Sequence, residues 1–165
     1  MNNQILSEEK IEKILKRIAF QIIENNFLES EIVLVGISGQ GMQMARNLKE
    51  FMYSIRPEIK STVCELFIDK LQPVRSDIKM DTDLKKLEDS VIVLVDDVLN
   101  TGRTTAYALS YLLQLSLKKL ETAVLVTRQY TRFPVAATYS GISLSTTLDD
   151  HIEVKLDKEV GAYLY

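Results

Sequence analysis

The 165-residue chain has no tryptophan, one cysteine, one histidine and three prolines. With Cys64 as the sole thiol, no disulfide can close within the chain. One cysteine and one histidine, His151, also leave too few soft ligands for a structural zinc site, although carboxylates can still hold a hard cation. No stretch approaches the roughly 20 apolar residues that a membrane span needs, and the opening MNNQILSEEK lacks a basic segment followed by an apolar run. A cytoplasmic protein without membrane partners is expected. An excess of one charge is missing too. The 20 Lys+Arg against 23 Asp+Glu give a net charge of −3, which argues against a histone-like or tail-type nucleic-acid binder. At 46% hydrophobic and 26% charged residues, the composition is that of a folded chain. Its length suits one domain, residues 1–165, which buries roughly 70% of the unfolded surface and needs no staple.

The apolar pattern orders the elements. Ile11, Ile14, Leu15, Ile18, Ile22 and Ile23 recur at helical spacing, and Ser7 is placed to cap that helix, which is expected over about residues 7–26. Ile32 to Ile37 form a continuous apolar run, as in a strand buried on both faces, and end in Ser38-Gly39-Gln40-Gly41. A second helix with Met44, Leu48, Phe51, Met52 and Ile55 on one face follows, up to the break at Pro57. Residues 62–69 read as a strand. A long segment of weak periodicity, about residues 69–90, reads as a flexible hood or lid. Val91 to Val95 repeat the buried-strand pattern, then come Asp96-Asp97, a short loop and a helix carrying Ala108, Leu109, Leu112 and Leu113. After the strand Ala123–Val126 lies TRQYTRFP, and from Val135 onward short runs without helical period suggest extra strands. Strands alternating with helices predict an α/β fold, a mainly parallel sheet covered by helices on both faces.

Ligands of such sheets bind beyond the carboxyl ends of the strands, where three polar loops gather: SGQG, DDVLNTGRTT and TRQYTRF. The central one is the most informative. Thr101, Gly102, Arg103, Thr104 and Thr105 sit at a helix start, where backbone N–H groups lack partners and glycine permits close approach, so the loop suits a phosphate monoester. It is not a Walker loop, since GxxxxGK[ST] is absent, as is GxGxxG. Acids next to a phosphate cradle repel the phosphate unless they address another part of the same ligand. Asp96 and Asp97 could accept from two adjacent sugar hydroxyls; an aspartyl nucleophile or a Mg²⁺ site are the alternatives.

The segment VIVLVDDVLNTGRT closely resembles the 5-phosphoribosyl-1-pyrophosphate (PRPP) signature of type I phosphoribosyltransferases. VLVDDVLNTGRT resembles in particular the bifunctional pyrimidine-operon attenuator and uracil phosphoribosyltransferase family, and the likeness extends through IVLVGISGQG, VRSD and AVLVTRQYTRFPV. The resemblance implies a type I phosphoribosyltransferase fold with a hood. It also implies that Asp96 and Asp97 bind the ribose hydroxyls, that Thr101, Gly102, Arg103, Thr104 and Thr105 hold the 5-phosphate, and that Ser38, Gly39, Gln40 and Gly41 receive pyrophosphate with Mg²⁺. Arg75 matches a basic residue of the hood, while Asn100, Arg128, Gln129 and Arg132 lie on the base side. The implied reaction is displacement of pyrophosphate from the sugar by a nucleobase nitrogen, expected to be that of uracil, in a homodimer or homotetramer.

Two departures bear on the activity. Relatives carry basic side chains in the pyrophosphate loop, whereas SGQG has none, so leaving-group stabilisation would fall to backbone N–H groups, Mg²⁺ and hood residues such as Lys70 or Arg75. Asn100 stands where relatives acting on 6-oxopurines have an aspartate, and an amide cannot exchange a proton at neutral pH. The alternatives to a uracil enzyme are a PRPP- or nucleotide-sensing regulator of low activity, of the RNA-binding attenuator type, and a purine phosphoribosyltransferase. RNA would need cations such as Lys10, Lys13, Lys16 and Arg17, which Glu8, Glu9 and Glu12 interrupt. Cys64 is expected to be buried, Asp149-Asp150 to form a turn, and His151 to have a structural or exposed position.

Overall fold

Nine strands and three α-helices make up the described part of the computed structural model, which covers residues 3–74 and 77–165. The order is β1 (Gln4–Ser7), α1 (Glu8–Asn25), β2 (Glu31–Ile37), α2 (Gln40–Ile55), β3 (Lys60–Phe67), β4 (Lys79–Met80), β5 (Val91–Leu99), α3 (Arg103–Leu112), β6 (Lys119–Arg128), β7 (Tyr139–Leu144), β8 (Ile152–Lys155) and β9 (Gly161–Leu164). Ser7 caps α1 as expected, its hydroxyl accepting from the Lys10 N–H.

The main sheet runs β4-β3-β2-β5-β6-β7, with β2, β3, β5, β6 and β7 parallel and β4 antiparallel at the edge. Its central strands are apolar on both faces because both faces are covered. Ile32, Leu34, Val93 and Val95 pack with α1 and α2, through Ile18, Ile22, Met44 and Leu48 among others. Val33, Ile37, Ile92 and Leu94 pack on the other face with Ala108 and Leu112 of α3 and with Leu87. Parallel β2 and β5 end side by side, with Gly36 opposite Val95, so the loops to α2 and α3 leave the sheet as neighbours.

Three features differ from the sequence reading. Strand β5 does not stop at Val95 but carries the acid pair on its last turn of pleat, out to Leu99. The long segment before it contains β4 and a one-turn 3-10 helix, Leu84–Leu87. Of the late strands only β7 extends the main sheet; β8 and β9 join β1 in a separate antiparallel sheet ordered β1-β9-β8. Short strands such as β1 owe their existence to a partner far along the chain, which local pattern does not reveal. Among the described residues, no helix is long and apolar enough to cross a membrane.

At the opposite end of the sheet from the loops, Glu121 is buried but fully engaged. It accepts from Asn26 Nδ2 at 3.0 Å and from Tyr139 Oη at 2.9 Å, and pairs with Lys119 at 2.8 Å. Burial, then the Glu121 carboxylate, raises the Tyr139 phenol above its ordinary range, so it remains a donor. The network pins the end of α1 to β6 and β7.

Candidate active site

A cavity of about 370 Å³ opens where β5 meets α3. It brings together Lys70, Asp96, Asp97, Asn100 and the whole run Thr101–Thr105. A larger hollow, about 810 Å³ between α2 and the start of β3, is lined by Arg46, Lys49, Glu50, Tyr53, Glu58 and Lys60 among others and contains none of Asp96, Asp97 and the Thr101–Thr105 run.

Gly102 is the N-cap of α3 with φ +85°, and no side chain bonds across as a cap. The first-turn N–H groups of the helix therefore face outward with no intrahelical acceptor. A Cβ at Gly102 would come within 2.4 Å of Val135 Cγ2 and 3.3 Å of the Phe133 carbonyl oxygen, so both backbone angle and space require glycine. Those neighbours are fixed because the N–H groups of Arg132 and Phe133 both donate to the Thr101 carbonyl, at 2.8 and 3.1 Å. Thr105 is buried, Arg103 is exposed, and Thr101 Oγ1 accepts from the Arg103 N–H at 3.3 Å.

Asp96 is buried, and its Oδ1 accepts from Lys70 Nζ at 3.0 Å and from the Asp97 N–H at 3.0 Å. Lys70 also lies 3.6 Å from Asp97 Oδ1. Burial, reinforced by the adjacent Asp97 carboxylate, pushes the Asp96 carboxyl up to about 8, with Lys70 opposing the shift. Burial works to lower the Lys70 ammonium, but the two carboxylates outweigh it and hold Lys70 above its ordinary value. Two acids and one lysine thus share the position at which a diol could bind.

The first glycine loop is adjacent but differently committed. Gly39, at φ +96°, is the N-cap of α2 without a side-chain cap bond. Gly41 packs so tightly that a Cβ there would meet the Val95 carbonyl oxygen at 2.8 Å and Asp96 Oδ1 at 3.0 Å. Helix α2 therefore starts directly against the acid pair. The Ser38 N–H is used by the Leu66 carbonyl at 2.9 Å, and Gln40 Oε1 accepts from the Leu156 N–H at 2.8 Å, tying the loop to the segment between β8 and β9. None of Ser38, Gly39, Gln40 and Gly41 lines the 370 Å³ cavity.

The residues expected on the base side separate. Arg128 is buried and donates from Nη1 to Asn100 Oδ1 at 2.7 Å. Gln129 is exposed and accepts from Ser145 Oγ at 2.6 Å, while Arg132 is exposed and contributes its backbone. Arg75 lies outside the described residues. His151 and Ile152 line the cavity, a role that sequence reasoning missed. Their place follows from the small sheet, and the signal available was only that His151 is the single histidine.

Of the cations that could serve RNA, Lys13 and Lys16 pair with Glu9 and Glu12, each at 2.6 Å, and Arg17 donates to the Gly141 carbonyl at 2.6 Å. Cys64 is buried, and burial raises its thiol. Asp150 accepts from the Thr147 N–H at 2.6 Å, the expected turn.

Known proteins share this fold. The profile of the phosphoribosyl transferase domain matches residues 1–158. The bifunctional protein PyrR of Clostridium kluyveri is 33% identical over 160 residues, covering 93% of this chain and 90% of the relative. That of Alkaliphilus metalliredigens is 32% identical, covering 92% and 87%. In structure, the hypoxanthine-guanine phosphoribosyltransferase of Bacillus anthracis superposes with a TM-score of 0.80 at 17% identity, covering 100% of this chain and 98% of that one. The hypoxanthine phosphoribosyltransferase of Trypanosoma cruzi gives 0.81 at 16% identity, covering 99% and 96%. At such identities the structures establish the shared fold, and the sequence matches establish the lineage: this chain belongs to the phosphoribosyl transferase domain family and is homologous, across most of its length, to its bifunctional PyrR members.

Proposed function

We propose that the chain binds a 5-phosphorylated ribose, as PRPP or a nucleoside monophosphate, and acts mainly as a nucleotide-responsive regulator with slow transferase turnover. The observation that carries this reading is the imbalance between the two loops. The Asp96–Thr105 segment unites an acid pair with a helix-start phosphate cradle in one cavity, whereas the loop beside it offers no cationic side chain and has Gln40 already engaged. In binding, the Asp96 and Asp97 carboxylates accept from the 2- and 3-hydroxyls, displacing the Lys70 ammonium, while the first-turn N–H groups of α3 and the threonine hydroxyls hold the phosphate. Displaced from the acids, Lys70 becomes available to the leaving group. Departure of pyrophosphate leaves a sugar of oxocarbenium character, and speed depends on charge placed at the leaving oxygens. Backbone N–H groups at α2 with one lysine make a weak version of that device.

Mg²⁺ suits this donor set as a hydrated ion held largely by pyrophosphate. Asp96 and Asp97 supply two carboxylates, and among the described residues no cluster of three or more candidate ligands forms a dedicated cage. Bound there, it would neutralise leaving-group charge.

Transfer of the phosphoribosyl group to uracil is the second reading, favoured by the uninterrupted VIVLVDDVLNTGRT segment. Calorimetry with ribose 5-phosphate, PRPP and UMP, alongside pyrophosphate release with uracil, hypoxanthine, guanine, xanthine and orotate in Mg²⁺, separates the two. Saturable binding with slow or no release supports the regulator. Fast uracil-dependent release supports the enzyme, and absence of ribose 5-phosphate binding removes both. For an RNA partner, nucleotide-dependent and salt-dependent binding of a leader RNA is the expected result.

A further inference from the structure

We infer that Arg128 presets Asn100 as a hydrogen-bond donor, so that the base end of the site selects an acceptor on the ligand, a carbonyl oxygen or an unprotonated ring nitrogen, over an N–H. The inference rests on the phosphoribosyl site proposed above and specifies what it accepts.

Strand register brings the two residues together. Leu99 of β5 stands opposite Thr127 of β6, and the next positions along each chain are Asn100 and Arg128. Arg128 is 5% exposed, and each of its three nitrogens is used on a neutral acceptor. Nε donates to Thr146 Oγ1 at 2.6 Å, Nη1 to Asn100 Oδ1 at 2.7 Å and Nη2 to the Thr147 carbonyl at 2.7 Å. The guanidinium also lies 5.7 Å from the centre of the Tyr130 ring. Among the described residues no carboxylate pairs with it. A guanidinium has donors only, so the atom of the Asn100 amide that faces it has to be the oxygen. The amide nitrogen is then the end left for a ligand, and Asn100 lines the same cavity as the acid pair and the phosphate cradle.

A buried cation with no counter-ion does more than orient the amide. It draws electron density toward Oδ1 and strengthens the N–H donors opposite. A uracil ring offers two carbonyl oxygens, and any gain of negative charge on either is stabilised by such a donor. A purine tautomer carrying a proton on the ring nitrogen at that place would put N–H against N–H, leaving two donors unsatisfied. The same anchor holds Thr146 and Thr147, a few residues before His151 and Ile152 in the cavity wall, so Arg128 acts as a positioning residue and Asn100 as the contact.

The test is Asn100→Asp, which keeps size, gains a carboxylate partner for Arg128 and presents an acceptor in place of the donor. Calorimetry gives the ratio of UMP affinity to ribose 5-phosphate affinity in the wild type and in N100D; any repulsion of the phosphate by the new charge enters both ligands and cancels. The expected outcome is a ratio lowered by about tenfold to a hundredfold in N100D, with a smaller fall in N100A and a melting temperature in N100D that is equal or higher. An unchanged or increased ratio in N100D, with ribose 5-phosphate still binding the wild type, overturns this inference alone. Failure of the wild type to bind ribose 5-phosphate overturns the underlying site and the inference together.

Discussion

Two units of this molecule share one backbone plan: β2 with α2, and β5 with α3. Each is a buried parallel strand that leads through a glycine at positive φ, Gly39 at +96° and Gly102 at +85°, into a helix with no side-chain cap bond. Both therefore leave first-turn N–H groups without intrahelical acceptors, although ψ differs, −133° at Gly39 against −1° at Gly102, and Thr101 Oγ1 accepts from the Arg103 N–H. What differs most is the side chains around them. The β5–α3 unit adds Asp96, Asp97, three threonines and a cavity, whereas the β2–α2 unit uses Gln40 to hold another part of the chain. An anion-receptive backbone is thus common property of the fold, and specificity is installed by the residues that flank it.

The largest effect should come from erasing the feature that only the second unit has. Asp96→Asn with Asp97→Asn should lower ribose 5-phosphate affinity, measured above pH 8 where Asp96 is ionised, by about a hundredfold or more, because two charge-assisted hydrogen bonds to the sugar become neutral ones, with the melting temperature held or raised. Unchanged affinity would mean that the acids do not meet the sugar. A second contrast uses the glycines themselves. Gly102→Ala meets Val135 and the Phe133 carbonyl as well as the positive φ, so a loss of about 2–4 kcal/mol in stability is expected. Gly39→Ala has nothing within 4 Å and should cost only the backbone strain of φ +96° with ψ −133°, about 1–3 kcal/mol. Denaturant unfolding of both variants measures the difference, and equal losses would mean that the two starts sit in equivalent surroundings.

Protons offer a third comparison. Asp96 is pushed up to about 8 in the folded protein, against an ordinary carboxyl near 4 when unfolded. The folded state then holds a proton that the unfolded state releases across that window. The contribution to stability is complete below about pH 4, falls as pH rises and is gone above about pH 8. Melting temperatures of the ligand-free protein should accordingly decline relative to Asp96→Asn between pH 5 and 8; parallel profiles would contradict the buried-acid account. The smallest effect belongs to the other loop. Gln40→Ala loses the bond from the Leu156 N–H, worth about 1 kcal/mol in stability, and should leave ribose 5-phosphate affinity within twofold.

Local pattern reveals most of the β5–α3 unit, because buried parallel strands are written as continuous apolar runs and a helix-start loop as a cluster of hydroxyls and glycine. It reveals less wherever the structure depends on distant partners. Strand β1 has only four residues and pairs with β9 across nearly the whole described chain. His151 reaches the cavity through that small sheet. Lys70 meets the acid pair from a segment whose own sequence shows no period. Asn100 has the sequence signature of an ordinary turn residue, and its orientation depends on Arg128 against its oxygen, a contact between two strand ends that neither segment encodes alone.

The pairing of β1 with β9 has a consequence for how the site comes into being. The proposed phosphate cradle is local and can form once β5 and α3 pack, but its wall at Ile152 belongs to a sheet whose first and last strands are separated by almost everything between them. Closing so long a loop carries the largest chain-entropy cost, so this sheet is expected to form late in folding. During synthesis the cradle would exist for a time with one side open, and a phosphorylated sugar that engages only the finished cavity would act on the last step of assembly, drawing the two ends of the chain together.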